Sequence, residues 1–504
     1  MATETELKLT VHPQDRVRLL RHPTLACPAG PAQRLANTYF DTATLALQAR
    51  RVAVRERRVD GQTLLTVKTA GTTVGGLSRR GEWEGPTRPG AFDFAALVDD
   101  AALAEELGRL AWQLVPVFHT DFVRHRWVVD HAGARIEVAL DQGWIRSGEA
   151  LREPILELEL ELLDGPVAAL FDLAHTLALG PAGDAARGLR LMPAVTSKAE
   201  RGFALFTGGR AAPVRAGAVV LRDGQTPREA WCDATFAALG QWQANRVGIA
   251  GPALGADGWP DPEFVHQGRV ALRRLRSGLR LFEPFLPERF VRHWSAVWGE
   301  LARALGPARE ADVLATDTLA PRWAGLPGAD ALQARLDAQR RAAHAGAAAA
   351  VSGAAHALAL LAQSHAALSL PPGPAAPGGL ARWARRTVRA QAASVQRRAR
   401  QALHVGPDGR HALRLAVKRL RYGQQFLAAL LPERLADAGP WVEAQALLGE
   451  LNDIDGALRW LGAVPEGLAP EAVAALRAAL LADQAERLAR LPVLARTLAR
   501  AHRD

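Results

Sequence analysis

From Leu156 to Leu162 leucine and glutamate alternate without a break, so an extended chain turns every leucine to one face and Glu157, Glu159 and Glu161 to the other. The amino terminus opens the same way, with Glu4, Glu6 and Lys8 on one face and Thr5 and Leu7 on the other. Between these runs the alternation recurs with cations. Arg55 and Arg57, Thr66 and Lys68, and Arg124 and Arg126 each share a face; Arg80, Glu82 and Glu84 form a mixed row opposite Trp83, and Glu137 and Asp141 flank Ala139. So many charged strand faces do not suit a sandwich, whose inner faces are apolar. They predict a closed antiparallel β-barrel, a tunnel with a polar lumen and flanking helices over part of its outer surface.

The period then changes. From Thr207 to Pro227 the chain is rich in Gly, Pro and Arg with no sustained repeat, and from Arg228 it is helical in pattern to the end. The expected fold class is α+β multidomain: a barrel over 1–206, a linker over 207–227, and an all-α domain over 228–504. The all-α part repeats itself. His266, Arg269, Arg273, Arg276 and Arg280 are spaced three and four apart, and His411, Arg414, Lys418 and Arg421 follow the same spacing, which puts each set on one helix face. Some thirty residues after each comes a second matching segment, Leu305–Asp312 and Leu448–Asp455, so two pseudo-repeats are expected.

Composition narrows the picture. Two cysteines, Cys27 and Cys232, in 504 residues offer neither a disulfide framework nor a zinc site, and a 49% hydrophobic fraction can fill real cores. The chain runs straight into a charged strand, and its most apolar helical stretch, Ala342 to Leu370, is interrupted by His344, His356 and His365. A cytoplasmic protein with no membrane partner is expected. The net charge of +10 implies an anionic partner.

A row of like charges repels itself unless a counter-ion sits among the oxygens, and a hard divalent metal is the simplest one. Carboxylates to hold metal and cations to hold oxyanions, converging in one lumen, describe a site for a metal-bound polyanion such as a chain of phosphates. One Glu-x-Glu pair is usually the wet face of an edge strand; here it is joined by Lys8, the basic rows and a second acidic strand. A single basic helical stripe is usually a solvated face, but both of these carry cations alone and both begin with histidine.

Several short signatures stand in order: Glu4-Thr5-Glu6-Leu7-Lys8, Asn37-Thr38-Tyr39-Phe40-Asp41-Thr42, Val54-Arg55-Glu56-Arg57, Leu65-Thr66-Val67-Lys68, Arg80-Gly81-Glu82-Trp83-Glu84, Glu157 to Glu161, and Ser197-Lys198-Ala199-Glu200-Arg201-Gly202. Over roughly the first 205 residues they resemble the CYTH or triphosphate tunnel metalloenzyme superfamily. The helical half resembles the CHAD domain, a module associated with inorganic polyphosphate. The resemblance implies a phosphoric anhydride hydrolase, an inorganic triphosphatase using Mg2+ or Mn2+. Lys8, Arg55, Arg57, Lys68, Arg80, Arg124, Arg126 and Lys198 would hold phosphate oxygens, Glu4, Glu6, Glu157, Glu159 and Glu161 the metal, and Lys8, Glu4 and Glu6 would be catalytic, with Glu157 also placed to hold a basic neighbour. His266, Arg269, Arg273, Arg276, Arg280, His411, Arg414, Lys418 and Arg421 would line a polyphosphate groove, with Arg274 and Arg419 as extra contacts.

Two alternatives stand beside this one. The tunnel could take an organic triphosphate, thiamine triphosphate or ATP, as a triphosphatase or cyclase. The whole chain could be a polyphosphate-binding adaptor that does not cleave. Nucleic acid is not an expected partner, because no aromatic stacking platform is interleaved with the cations.

Overall fold

The computed structural model describes residues 2–69, 71–74, 76–180, 183–222, 224–251, 254–255, 258–402 and 406–501. They form two compact units, Met1–Ala212 with Ser352–Leu370, and Pro213–Val351 with Pro371–Asp504.

In the first unit the alternating runs become strands: β1 (Ala2–Val11), β2 (Gln33–Asp41), β3 (Ala53–Val59), β4 (Gln62–Lys68), β5 (Thr72–Val74), β6 (Leu77–Pro86), β7 (Val115–His131), β8 (Ala134–Ser147), β9 (Leu151–Asp164) and β10 (Leu191–Pro193). They pair antiparallel in the order β10-β1-β9-β8-β7-β2-β3-β4-β6-β5, and a further β1–β6 pairing closes eight of them into a barrel. Two hairpins turn on residues that accept the left-handed region. Asp60-Gly61 joins β3 to β4 with φ of 50° and 80°, and Ala132-Gly133 joins β7 to β8 with 49° and 74°.

Period two does the rest. The leucines of β1 and β9 (Leu7, Leu9, Leu158, Leu160), with Val138 and Leu140 of β8, face outward and are sealed by helix Ala168–Ala178 through Leu170, Leu173 and Leu177. The same core takes Leu358 and Leu361 from helix Ala354–Ser369. That helix lies in the stretch expected to belong wholly to the all-α domain; it packs on the barrel because its leucines share one face and His365 Nδ1 reaches Asp172 at 3.4 Å. On another side Val54, Leu65, Val67 and Trp83 pack under Phe94 and Leu107.

The second unit is helical. Residues 209–222 carry no helix or strand, although Val219 and Leu221 are buried. Thr226 then starts helix Pro227–Ala250 with a capping box to Glu229. The two repeated basic segments are helices Pro262–Leu281 and Gly406–Leu427, which pack on each other, and the segments that follow them fall in helices Gly306–Val313 and Gly439–Gly462. No single helix among the described residues is long and apolar enough to cross a membrane.

Candidate active site and polyanion groove

The lumen holds a cavity of about 940 Å³, and β1, β3, β4, β6, β7, β8 and β9 each send charged side chains into it. Register explains the convergence, since residues opposite each other in a ladder share a face. Glu6 and Glu137 both stand opposite Glu161, Lys8 stands opposite Glu159, and Lys68 opposite Glu82.

The charges are interleaved rather than segregated. Lys8 Nζ is 2.7 Å from Glu6, whose carboxylate also takes Arg80 at 2.6 Å. Lys68 Nζ lies 2.6 Å from Glu82 and 3.2 Å from Glu4. Arg55, almost buried, is 3.7 Å from Glu82 and 3.6 Å from Glu84, and Arg57 Nε donates to Asn37 Oδ1 at 3.1 Å. Arg124 forks onto Asp141 with two bonds of 2.7 Å and reaches Glu159 at 2.6 Å. Lys198, at the first turn of helix Lys198–Thr207, sits 2.8 Å from each of Asp141, Glu157 and Glu159. Arg126 is more open and pairs with Glu137.

These pairings set the protonation pattern. Burial pushes the Glu82 carboxyl up, but Lys68, Glu4 and Arg55 pull it down to about 2. Burial also opposes charge on Glu159, where Lys198, Arg124 and Lys8 hold the carboxyl well below the usual range. Glu161 goes the other way. Burial and then the surrounding Glu4, Glu137, Glu6 and Glu82 push it up to about 7.

The lumen therefore fits a divalent metal in its donor chemistry. Its open carboxylates offer only oxygens, the donors hard divalent ions take, and Glu161 marks a place where negative charge is undercompensated. Among the described residues no group of three or more His, Cys, Asp or Glu is already gathered to hold an ion. Glu4, Glu6, Glu159 and Glu161 line the cavity, whereas Glu157 does not: it is almost fully buried behind the wall, bound to Lys198 and Arg201. It is therefore removed from the metal set: Glu159 shares Lys198 and also takes Arg124 but opens on the cavity, and Glu157 does not.

In the helical unit the two stripes meet around Arg273. Its Nη1 donates to Tyr422 Oη at 3.2 Å. Its charge depresses the basicity of Arg269, Arg276, Arg414 and Lys418, in each case after burial. Lys418 is brought down to about 7 by burial and by Arg273 and Arg414, with Asp453 pulling the other way. His266 joins this cluster beside Arg309, and its imidazole is held below its usual value by burial and that guanidinium. His411, Arg280 and Arg419 are exposed. Arg274 is a correction: it is fully buried, donates to Gln241 Oε1 at 2.9 Å and Gly217 O at 3.2 Å, and stacks on Phe426, so it ties the linker to the core instead of facing the groove.

Residues 2–189 match the CYTH domain model and residues 234–462 the CHAD domain model. The chain is a CYTH domain followed by a CHAD domain. Its CYTH part is 36% identical over 186 residues to an inorganic triphosphatase of Haemophilus influenzae, a match covering 35% of this chain and 50% of that protein, so the chain spans about half the length of the curated relative it matches. Among solved structures, the CHAD domain from the plant Ricinus communis is 30% identical, with 57% of this chain and 97% of that one covered and a TM-score of 0.49. A protein from Hippeastrum described as a putative adenylyl cyclase with a dominant triphosphatase activity is 19% identical, covering 42% and 98%, with a TM-score of 0.30.

The CYTH lumen also holds groups to which sequence reasoning assigned no role. Glu82, Glu84 and Glu137 line it, Asp141 anchors Arg124 and Lys198, and Tyr39 lies beside Arg55, which holds its phenol below the usual value against burial. Glu82, Glu84, Glu137 and Asp141 stand in the same alternating rows as the assigned residues. In the CHAD domain Arg309 and Asp453, from the second pair of matching segments, lie close enough to the basic cluster to act on His266 and to be acted on by Arg414.

Proposed function

We propose that the CYTH domain hydrolyses inorganic triphosphate to diphosphate and phosphate with Mg2+ or Mn2+, and that the CHAD domain holds inorganic polyphosphate. The observation that carries this is the lumen itself: a barrel cavity in which Lys8, Arg55, Arg57, Lys68, Arg80, Arg124, Arg126 and Lys198 alternate with carboxylates. Phosphoryl transfer asks little covalent chemistry of a protein and depends on neutralising equatorial oxygens and aligning the attacking water. Cations now held by carboxylates, Lys68 and Arg80 above all, can transfer their bonds to phosphate oxygens, which releases Glu4 and Glu6 toward the metal. A divalent ion held by Glu4, Glu6, Glu159 and Glu161 would add Lewis-acid charge neutralisation and lower the pKa of bound water. Glu161, at about 7, can hold or release a proton near neutrality. Arg55 and Arg124, fixed by Glu82, Glu84 and Asp141, keep their guanidinium planes in place without reorganising.

The inorganic substrate is supported by the relative matched over the CYTH part and by an attached CHAD domain whose basic groove suits a ligand of the same chemistry. A phosphate-release assay with triphosphate, ATP and thiamine triphosphate, with and without Mg2+, tests it. Triphosphate should be turned over fastest and only with metal, and Glu4→Gln or Glu6→Gln should lower turnover by at least about a hundredfold in a chain that circular dichroism shows to be folded. A preference for either organic substrate, or metal-independent turnover, would overturn it.

A further inference from the structure

Helix Leu380–Ala402 supplies none of the groove residues, yet it is the most positively charged element among the described residues. Its 23 residues contain seven arginines and no Asp or Glu. At 3.6 residues per turn, Arg382, Arg385, Arg386, Arg389, Arg397 and Arg400 fall within an arc of about 120°. All of these except half-buried Arg385 are exposed, and none of the seven has an ion-pair or hydrogen-bond partner among the described residues. The opposite face is apolar: Ala384, Val388, Ala392, Val395 and Ala399 are buried where the helix packs on Gly406–Leu427 and Pro470–Arg500.

Like charges at helical spacing repel, and ordinary solvated helices relieve this with interspersed carboxylates. This helix has none. Arginine offers a planar, bidentate fork to phosphate oxygens. From Arg382 to Arg400 the stripe runs for roughly 27 Å, long enough to track an extended polyanion. The helix has one aromatic, Trp383, and its ring is spent on Phe282 and Phe285, so the stripe offers nothing for a nucleic-acid base to stack on. The helix packs on the one that carries Arg414 and Lys418, with Gln391 meeting Gly423 on the side turned away from the stripe, so the arginines stay outward on a helix next to the basic cluster.

We propose that this arginine stripe is a second polyphosphate-binding surface, separate from the groove, which engages the length of chain extending beyond it. It rests on the assignment of polyphosphate to the CHAD domain. Its consequence is that affinity grows with chain length after the groove is filled.

The test is binding of long-chain polyphosphate and of a short oligophosphate to the full chain, in chelator so that the barrel does not hydrolyse the probe. Arg386→Glu with Arg389→Glu and Arg397→Glu should weaken long-chain binding at least about tenfold and short-chain binding less than about threefold. It should also flatten the dependence of log affinity on log salt by about two, at roughly 0.7 per lost phosphate contact. Reversal of Arg477, Arg490 and Arg496, three exposed arginines on helix Pro470–Arg500, removes the same charge and should cost less than about threefold for either probe. Glutamine versions of the stripe triple should show the same length-dependent loss, reduced in size, and circular dichroism melts establish that each variant is folded.

Equal losses from the two triples, or equal losses for long and short chains, would overturn the proposal. So would a loss of duplex DNA binding as large as that of polyphosphate. If Arg273→Glu with Lys418→Glu abolishes long-chain binding while the stripe triple leaves it unchanged, the stripe is refuted and the groove stands. If neither set alters it, both are refuted.

Discussion

Replacing Lys198 by methionine keeps the bulk of the stem and removes the charge that holds one wall of the lumen together. Lys198 is 7% exposed, and its ammonium is 2.8 Å from each of three carboxylates. Two of them, Asp141 and Glu159, keep Arg124, and Glu157 keeps Arg201. Removing one partner of a buried ion pair costs about 3–5 kcal/mol, and the surviving arginines put this case near the lower end, about 3 kcal/mol. For a unit of this size that is a fall of roughly 6–12 °C in the melting temperature of the barrel.

The loss should depend on pH in a defined direction. Despite burial, Lys198, Arg124 and Lys8 hold the Glu159 carboxyl well below its usual 4.5. Its stabilisation is therefore complete above about 4.5 and lost as pH falls through the lower folded value. Despite burial, Asp141, Glu157 and Glu159 raise Lys198 well above 10.5, so its contribution is complete below that value and lost only above the folded one. The gap between wild type and Lys198→Met should thus be widest from about pH 5 to 10 and should shrink below about pH 4. Calorimetry of the full chain between about pH 3 and 8 reads the gap at neutral pH and its shrinkage in acid. An unchanged melting temperature at neutral pH, or a gap that stays constant into acid, would refute the ion-network account.

Three other outcomes are expected. Because Glu161 titrates near 7, Mn2+ affinity should fall about tenfold per pH unit below neutrality, with release of up to one proton on binding; calorimetry in buffers of different ionisation heat measures it, and Glu161→Gln should flatten the profile. Lys418, brought down to about 7 by burial and its cationic neighbours, should gain its proton as pH falls, so polyphosphate binding should strengthen from about pH 8 to 6, and Lys418→Arg should remove most of that dependence in a fluorescence titration. Leu361→Asp places a carboxylate in the core under β1 and β9, and should destabilise the barrel transition by at least about 3 kcal/mol while leaving polyphosphate affinity within a factor of two.

The barrel was legible because its signal is local. Period-two alternation in Leu156–Leu162 states which side chains go in and which go out, and the closed sheet obeys it. The helical stripes were legible for the same reason at period 3.6. What the pattern could not show is which like-facing charges neutralise each other. Glu157 has the same alternation as Glu159 and Glu161, but helix Lys198–Thr207 brings Lys198 to both Glu157 and Glu159 and Arg201 to Glu157, and of the three only Glu157 is absent from the cavity lining. Arg274 sits one residue from Arg273, and a step of one on a helix turns it from the groove into the core against Phe426. Helix Ala354–Ser369 was the least legible, since its amphipathic face states that it must be covered without saying by what.

Leu358 and Leu361 also fix an order of events during synthesis. The last cavity residue of the barrel is made before Ala212, but the leucines that finish its core arrive with a segment ending at Leu370, about 160 residues later. At roughly 5–20 residues per second that is a wait on the order of 10–30 s. Throughout it the part of that core which helix Ala168–Ala178 leaves open stays uncovered, and the nascent barrel holds a complete lumen inside an unfinished wall.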